Sequence, residues 1–292
     1  LSEAYISETI APTYEEKLIP EASLENIKKD FNELVKAHRI SGTEEEKSAA
    51  KYINEQLKAA GYIPTMEKYY FKQVMGTDEK GVVEIDYVLV NDGDFDISTQ
   101  NVIAKSQTKE DLPIIILSAH YDSFLGVGAF DNASGTSALI ELSRILNPDD
   151  YELHYVFFGS EEWLLRGSQQ YIKNLSVEVK ERIIGNINID TIGYNGESKL
   201  NLYIWNDLGY KASNLLTQSA DWKDISVIKS EEYKSDHVSF AESGIPSVLL
   251  LDNPQNINLS EIANTVNDVP DRVNLGRIQI IVDMLSKAIN NL

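Results

Sequence analysis

His120 and Asp122 stand at the end of a short apolar run, Ile114 to Leu117, and Asp131 follows in the loop Gly128-Ala129-Phe130-Asp131-Asn132-Ala133-Ser134-Gly135. The run is β-branched and preceded by Pro113, which marks a buried strand. Its C-terminal end is where the loops of an open α/β sheet diverge into a ligand crevice. An imidazole and two carboxylates there make half of a metal site. Alone, they are equally compatible with a solvated loop.

Two later runs end in the same manner. Leu153 to Phe158 leads into Gly159-Ser160-Glu161-Glu162, and Ile183 to Ile189 into Asp190. Adjacent carboxylates after a strand either open a helix, where its dipole favours them, or divide into a metal ligand and a base. Asn186 and Asn188 predict that the third strand is less uniformly buried. A solvated loop explains any one of these strand ends. Convergence of His120, Glu161/Glu162 and Asp190 at one end of successive strands is what an active site requires.

The elements that position these groups can be read in order. The first residues form an extended arm, about 1–22. Leu24, Ile27, Phe31, Leu34 and Val35 follow helical spacing, broken at Arg39-Ile40-Ser41-Gly42. Thr43 and Glu46 predict a capping box for a helix that buries Ala49, Ala50, Ile53 and Leu57 and stops at Gly61. Extended segments follow at 67–74 and 82–90, a turn at 91–100 and a short strand at 101–104. Asn132 or Ser134 caps a helix bearing Leu139, Ile140, Leu142, Ile145 and Leu146. Strands are expected at 200–205 and 247–251, a helix at 210–220, and Ser235-Asp236-His237 in a loop. An amphipathic helix from Val273 closes the chain. Strand–helix alternation over 292 residues predicts one α/β domain, 1–292, three-layered αβα, with a mixed, mostly parallel central sheet.

Composition narrows the chemistry. Lys and Arg total 26 against 46 Asp and Glu, a formal charge of −20 that repels nucleic acid and anionic membranes. No apolar run approaches the roughly 20 residues that span a bilayer. The absence of cysteine removes disulfides, thiol nucleophiles and Cys-ligated zinc, so any zinc must use His, Asp and Glu. A first residue that is not Met fits a processed or truncated start, and a removed secretion signal would give a secreted or cell-surface location. Oligomeric state is not legible.

His120-Tyr121-Asp122-Ser123, Asp131-Asn132-Ala133-Ser134-Gly135, Gly159-Ser160-Glu161-Glu162 with Gly167-Ser168, Asn188-Ile189-Asp190, Ser235-Asp236-His237 and Gly244-Ile245-Pro246 resemble, in order and spacing, the motifs of the zinc-dependent M28 metallopeptidases. These include bacterial secreted aminopeptidases and, more distantly, glutaminyl cyclases. The likeness runs from about Arg39 to Asn274 and includes Arg39-Ile40-Ser41-Gly42-Thr43 and Asn101-Val102-Ile103-Ala104. It implies that His120 and Asp190 hold one zinc, Asp131 bridges to a second and Glu162 binds that second ion. Glu161 would be the general base on a metal-bound water, and Asp122 would orient His120.

One position departs from the family. Its last ligand is a His in a Tyr-His-Thr-x-x-Asp-like motif, and the matching stretch here is Ile262-Ala263-Asn264-Thr265-Val266-Asn267-Asp268. Asn264 offers an amide oxygen in place of imidazole, and Ala263 removes a Tyr hydroxyl. His237 is not a ligand in the family; His38 and His154 read as structural. The resemblance therefore implies zinc, one or two ions with the second site weakened, and a peptide substrate. Two functions remain open: an exopeptidase, most simply an aminopeptidase, favoured by Glu161, and a catalytically impaired peptidase-like protein that binds peptide or a single metal, favoured by Ala263 and Asn264. A cyclase-like reaction stands third.

Overall fold

The apolar spacing after Ala22 becomes helix α1 (Leu24–Leu34), capped by the Ser23 hydroxyl on the Asn26 N–H. Ile27, Phe31 and Leu34 face the core, whereas Leu24 lies in the exposed first turn, outside the buried stripe. Helix α2 (Glu44–Ala59) is capped by Thr43 and buries the expected four residues. Glu46 does not reach back to the Thr43 N–H as a full capping box requires. Its carboxylate turns inward, where Gly42, Thr99, Gln100 and Tyr121 all donate to it. The computed structural model describes residues 20–77, 83–91, 93–106 and 111–292. Most of the expected arm, 1–22, therefore lies outside the described residues. Ala22 is pinned to the last helix through Asp283 and Gln279.

The strands are β1 (Thr65–Thr77), β2 (Val83–Val90), β3 (Ile97–Lys105), β4 (Ile114–His120), β5 (Glu152–Phe158), β6 (Ile183–Ile189), β7 (Ser198–Ile204), β8 (Ser226–Lys229) and β9 (Ser247–Pro254). They form one mixed sheet in the order β2-β1-β3-β5-β4-β6-β9-β7-β8. The central run β5-β4-β6-β9 is parallel. Antiparallel pairing governs the β2-β1-β3-β5 side and joins β7 to β9. The parallel character expected from strand–helix alternation thus belongs to the centre, where the strand-end candidate ligands lie, and to the β7–β8 edge, but not to the β2-β1-β3 side.

Period-two alternation builds the two faces. Ile115, Leu117 and Ala119 of β4 pack with α1, α2, α3 (Ser134–Ile145), α6 (Gly209–Thr217) and α8 (Leu275–Asn290). Ile114 and Ile116 face the other way, toward α4 (Arg166–Asn174), α5 (Val177–Arg182) and α7 (His237–Glu242). The result is three layers, αβα.

Three expectations on local structure are corrected. The polar stretch 97–100 is strand, paired to β1, because Thr99 and Gln100 place their side chains on buried Glu46 instead of in solvent. Asn186 and Asn188 are fully buried. Their amides are satisfied by Ser247, Ser118 and Ser235, so polarity here does not mean exposure. His237 opens α7 and is not in a loop.

Candidate metal centre and active site

The three central strands deliver their polar ends to one point. His120, the last residue of β4, is fully buried. Its Nε2 lies 3.0 Å from Asp131 Oδ1 and 3.4 Å from Asp190 Oδ1, the latter directly after β6. Its Nδ1 faces Asp122 Oδ1 at 3.4 Å. Single ligand atoms of His120, Asp131 and Glu162 all lie within 4.8 Å of one another. Of the expected ligands, His120, Asp131, Asp190 and Glu162 are therefore together, with Asp122 behind the imidazole.

Asp122 ties the β4 loop to the β5 loop. Its carboxylate accepts the Glu161 N–H at 3.1 Å, the Glu162 N–H at 3.3 Å and the Ser41 hydroxyl at 3.1 Å. Asp131 sits at a non-helical kink, φ −117° and ψ 91°, in the turn Ala129–Ala133 that runs into α3, and its peptide bond to Asn132 is cis. Of the two candidate caps, Asn132 accepts the Gly135 N–H at 2.9 Å, whereas the Ser134 hydroxyl donates back to Phe130. Gly128 opens the turn at φ 56°, where a Cβ would meet the Asp131 carbonyl at 2.5 Å. Asp268 accepts the Phe130 and Asp131 N–H groups at 2.6 and 2.9 Å. The loop carrying Asn264 is thereby anchored to the loop carrying Asp131. Ser160 and Thr191, at the mouths of β5 and β6, hold φ of 57° and 50°; such left-handed backbone on ordinary residues gathers at functional sites.

Electrostatically the group is incomplete. Burial opposes charge on His120, but Asp190, Glu161, Asp122 and Asp131 together outweigh it, so its pKa lies well above the usual imidazole value. Burial, then neighbouring carboxylates, hold Glu161 and Glu162 well above the usual carboxylate range. Asp190 is lowered: burial works against it, but His120 and the Ser235 hydroxyl prevail. Both ring nitrogens of His120, Oδ1 of Asp190 and Oε1 of Glu162 are buried without a directed hydrogen bond. Orphaned ligand atoms around one imidazole are costly in a protein-only site. Oxygen and imidazole donors of this type fit a zinc ion.

Asn264 adopts φ 61°, a left-handed conformation that Asn tolerates. It lines, with Ala263, Asp131, Glu161 and Asp190, a cavity of about 840 Å³. Glu161 faces this cavity; Glu162 is absent from its lining. His237 is buried with both ring nitrogens unpartnered, and burial lowers its pKa to about 4. It stands outside the His120–Asp131–Glu162 group among the described residues. His154 bonds Tyr171 and Glu152, away from the site.

Sequence reading missed the residues that hold the loops. Arg39 is buried, and its guanidinium donates to the carbonyls of Tyr121, Leu34 and Val127 at 2.6 Å each and of Gly128 at 3.0 Å. Its segment reads from the sequence as a helix breaker and as part of the family likeness, with no contact assigned to Arg39; in the structure it clamps the chain from Tyr121 to Gly128. Burial lowers the Arg39 pKa to about 10. The available signal was an Arg and a Ser in one turn before a cap, which also serves many plain loops.

Comparison with known proteins gives the same picture. The sequence matches the model of peptidase family M28 over residues 101–289. It is 30% identical over 203 residues to the aminopeptidase YwaD of Bacillus subtilis, covering 66% of this chain and 44% of that one. It is 25% identical to leupeptin-inactivating enzyme 1 of Streptomyces exfoliatus, covering 78% of this chain and 49% of that one. The match thus spans less than half the length of these relatives. Among solved structures, BSAP, a zinc aminopeptidase from Bacillus subtilis, aligns with TM-score 0.78 at 18% identity over 94% of this chain and 96% of that one. The Porphyromonas gingivalis glutaminyl cyclase aligns with TM-score 0.69 at 18% identity over 92% and 98%. At such identities the likeness is one of fold. The family match, with the strand-end motifs inside it, makes this chain a member of peptidase family M28.

Proposed function

We propose that the protein is a zinc-dependent exopeptidase that removes N-terminal residues from peptides, using Glu161 as general base. The observation that carries this reading is the set of unpartnered ligand atoms on His120, Asp190 and Glu162, next to a cavity that Glu161 faces. His120, Asp131 and Asp190 would hold the tighter ion; Glu162, Asp131 and the weak amide of Asn264 would hold a second less firmly. Zinc, when bound, polarises a scissile carbonyl and acidifies water. Glu161 accepts the proton of the attacking water and returns it to the leaving amine. Asp122, 3.4 Å from Nδ1 of His120, would orient the ring and, through the Glu161 and Glu162 backbone N–H groups, positions Glu161. Leu249, Leu251, Ile257 and Leu259 in the cavity wall would receive an apolar N-terminal side chain, and the carboxylates would attract its ammonium group.

The test is zinc content by mass spectrometry with hydrolysis of leucinamide, with and without added zinc. About one tightly held zinc per chain and zinc-dependent release of leucine are expected. Two equally tight ions would mean that another residue, His237 first, replaces the missing ligand. A second reading, a peptide-binding protein with impaired catalysis, is favoured by Asn264 and Ala263 specifically. Asn264→His with Ala263→Tyr separates the two. A second ion with higher activity supports the enzyme, since an added oxyanion donor is worth about 10²–10³ in rate. A second ion with no gain supports the binding protein.

A further inference from the structure

Trp163 follows Glu162 directly, yet it belongs to neither the ligand group nor the cavity wall. Its ring lies edge-on to Tyr87 of β2, centroids 4.9 Å apart, and against Phe71 of β1 and Phe124 of the β4 loop at 6.2 and 6.3 Å. Phe124 is 42% exposed, Leu125 49% and Leu164 50%. Leu164 and Leu165 both take φ of 62°. The Trp163 indole N–H has no hydrogen-bond partner, so packing alone holds the ring. Single exposed apolar residues need no explanation; rings in mutual contact, beginning beside two candidate functional loops, do.

The sheet order fixes where this shelf lies. β5, β4 and β6 supply the central groups, the cavity is walled by Leu249 and Leu251 of β9 on one side, and β1 and β2 bring Phe71 and Tyr87 on the other. A peptide with its first residue in the cavity must lead the rest of its chain away from it. We propose that the shelf of Phe124, Trp163, Tyr87 and Leu164 binds the substrate segment just downstream of the scissile bond, selecting an aromatic or large apolar side chain there. This rests on the exopeptidase reading. The occupant is argued from continuity: the shelf begins at the residue after Glu162 and two residues after Asp122.

The zinc-loaded chain is compared on leucyl-phenylalaninamide and leucyl-glycinamide. kcat/KM should favour the former by about 10-fold, the size set by burying part of one phenyl ring. Phe124→Ala should collapse that ratio toward 1 with zinc content intact, and Trp163→Ala likewise, whereas Trp163→Phe should retain most of it. A ratio near 1 in the wild type, or one that survives Phe124→Ala, overturns the proposal. Hydrolysis of neither amide with zinc present would sink the exopeptidase reading. The shelf is then judged by calorimetric affinity for the same two amides, where equal affinities overturn it and a preference lost in Phe124→Ala upholds it. A dimer that dissociates on Phe124→Ala would assign the face to a second copy of the chain, which also overturns the proposal.

Discussion

Two groups of buried acid lie close together in this fold, and they are treated differently. Glu46 is fully buried and receives the hydroxyls of Thr99 and Tyr121 at 2.6 Å, the Gln100 amide at 2.9 Å and the Gly42 N–H at 3.1 Å. Asp131, Glu162 and Asp190 gather at one imidazole whose charge Glu161 also feels, and two of their atoms, Oδ1 of Asp190 and Oε1 of Glu162, accept nothing. A carboxylate held for the fold's own purposes is surrounded by protein donors. At the strand ends the donors are withheld, and what remains is suited to a cation from outside. Burying unpaired charge is among the most costly arrangements a protein makes, so its concentration among the described residues around His120, where the buried and unpartnered Asp236 carboxylate also feels the imidazole, carries information that a charge count of −20 does not.

The largest expected effect separates base from ligand within the site. Glu161→Gln should cost roughly 10²–10⁴ in kcat while zinc content stays unchanged. Loss of zinc with a modest loss of rate would exchange the roles of Glu161 and Glu162. Next comes removal of the ion. If the strand-end acids await zinc, free zinc at about 1,000 times its dissociation constant should stabilise the fold by about 4 kcal/mol over the chelated protein. Urea unfolding with EDTA and with zinc measures this. Glu46→Gln should leave that increment intact; an equal loss of it would erase the distinction between the two groups.

A third prediction concerns pH. Burial is the strongest influence on Glu46 and lifts its pKa from 4.5 to about 7, although Thr99, Tyr121 and Gly42 pull the other way. A carboxyl with a raised folded-state pKa holds its proton more tightly when folded. Its contribution is fully present below about pH 4.5 and is lost as pH rises to about 7. The loss amounts to about 3 kcal/mol at 1.36 kcal/mol per unit. The stability difference between wild type and Glu46→Gln should therefore shift in favour of the variant across that window and stay level above it. A flat difference would mean that Glu46 is ionised throughout, its donors having outweighed burial.

These groups also differ in how readily sequence reveals them. His120, Glu161, Glu162 and Asp190 were legible because each ends an apolar run, and run ends are local features. For Glu46 spacing reports only a local duty, a cap, and for Arg39 a helix break and a family likeness without a contact. Their partners Tyr121, Thr99 and Gly128 lie far along the chain, and nothing in residue spacing reports a contact across that distance. Thr99 and Gln100 read as turn residues for the same reason: their polarity answers Glu46 and not water. Asn186 and Asn188 misled in parallel, since period and polarity cannot distinguish a solvated amide from one paired inside a sheet.

The smallest effect expected comes from the asparagines and serines behind Asp190. Ser247 donates to Asn186 at 2.7 Å, Asn186 to Ser118 at 2.8 Å, Ser118 to Asn188 at 2.9 Å, Asn188 to Ser235 at 2.8 Å and Ser235 to Asp190 Oδ2 at 2.6 Å. Every hydrogen in this row points the same way, across β9, β6 and β4 toward the carboxylate. Bonds in such a row polarise one another, by about 10–30% each, and a hydrogen-bonded carboxylate is better oriented as a ligand. Ser235→Ala removes the final donor and should weaken zinc binding by about 10–100-fold, read by competition with a fluorescent chelator. Ser247→Ala, at the far end, keeps the Ser235 bond and should weaken it only a few-fold, on the order of one attenuated hydrogen bond. Equal losses in both variants would mean that the row acts through packing of the strands and not through Asp190. No loss in Ser235→Ala would mean that the strand-end acids bind their ion without help from the fold, and the contrast with Glu46 would be sharper still.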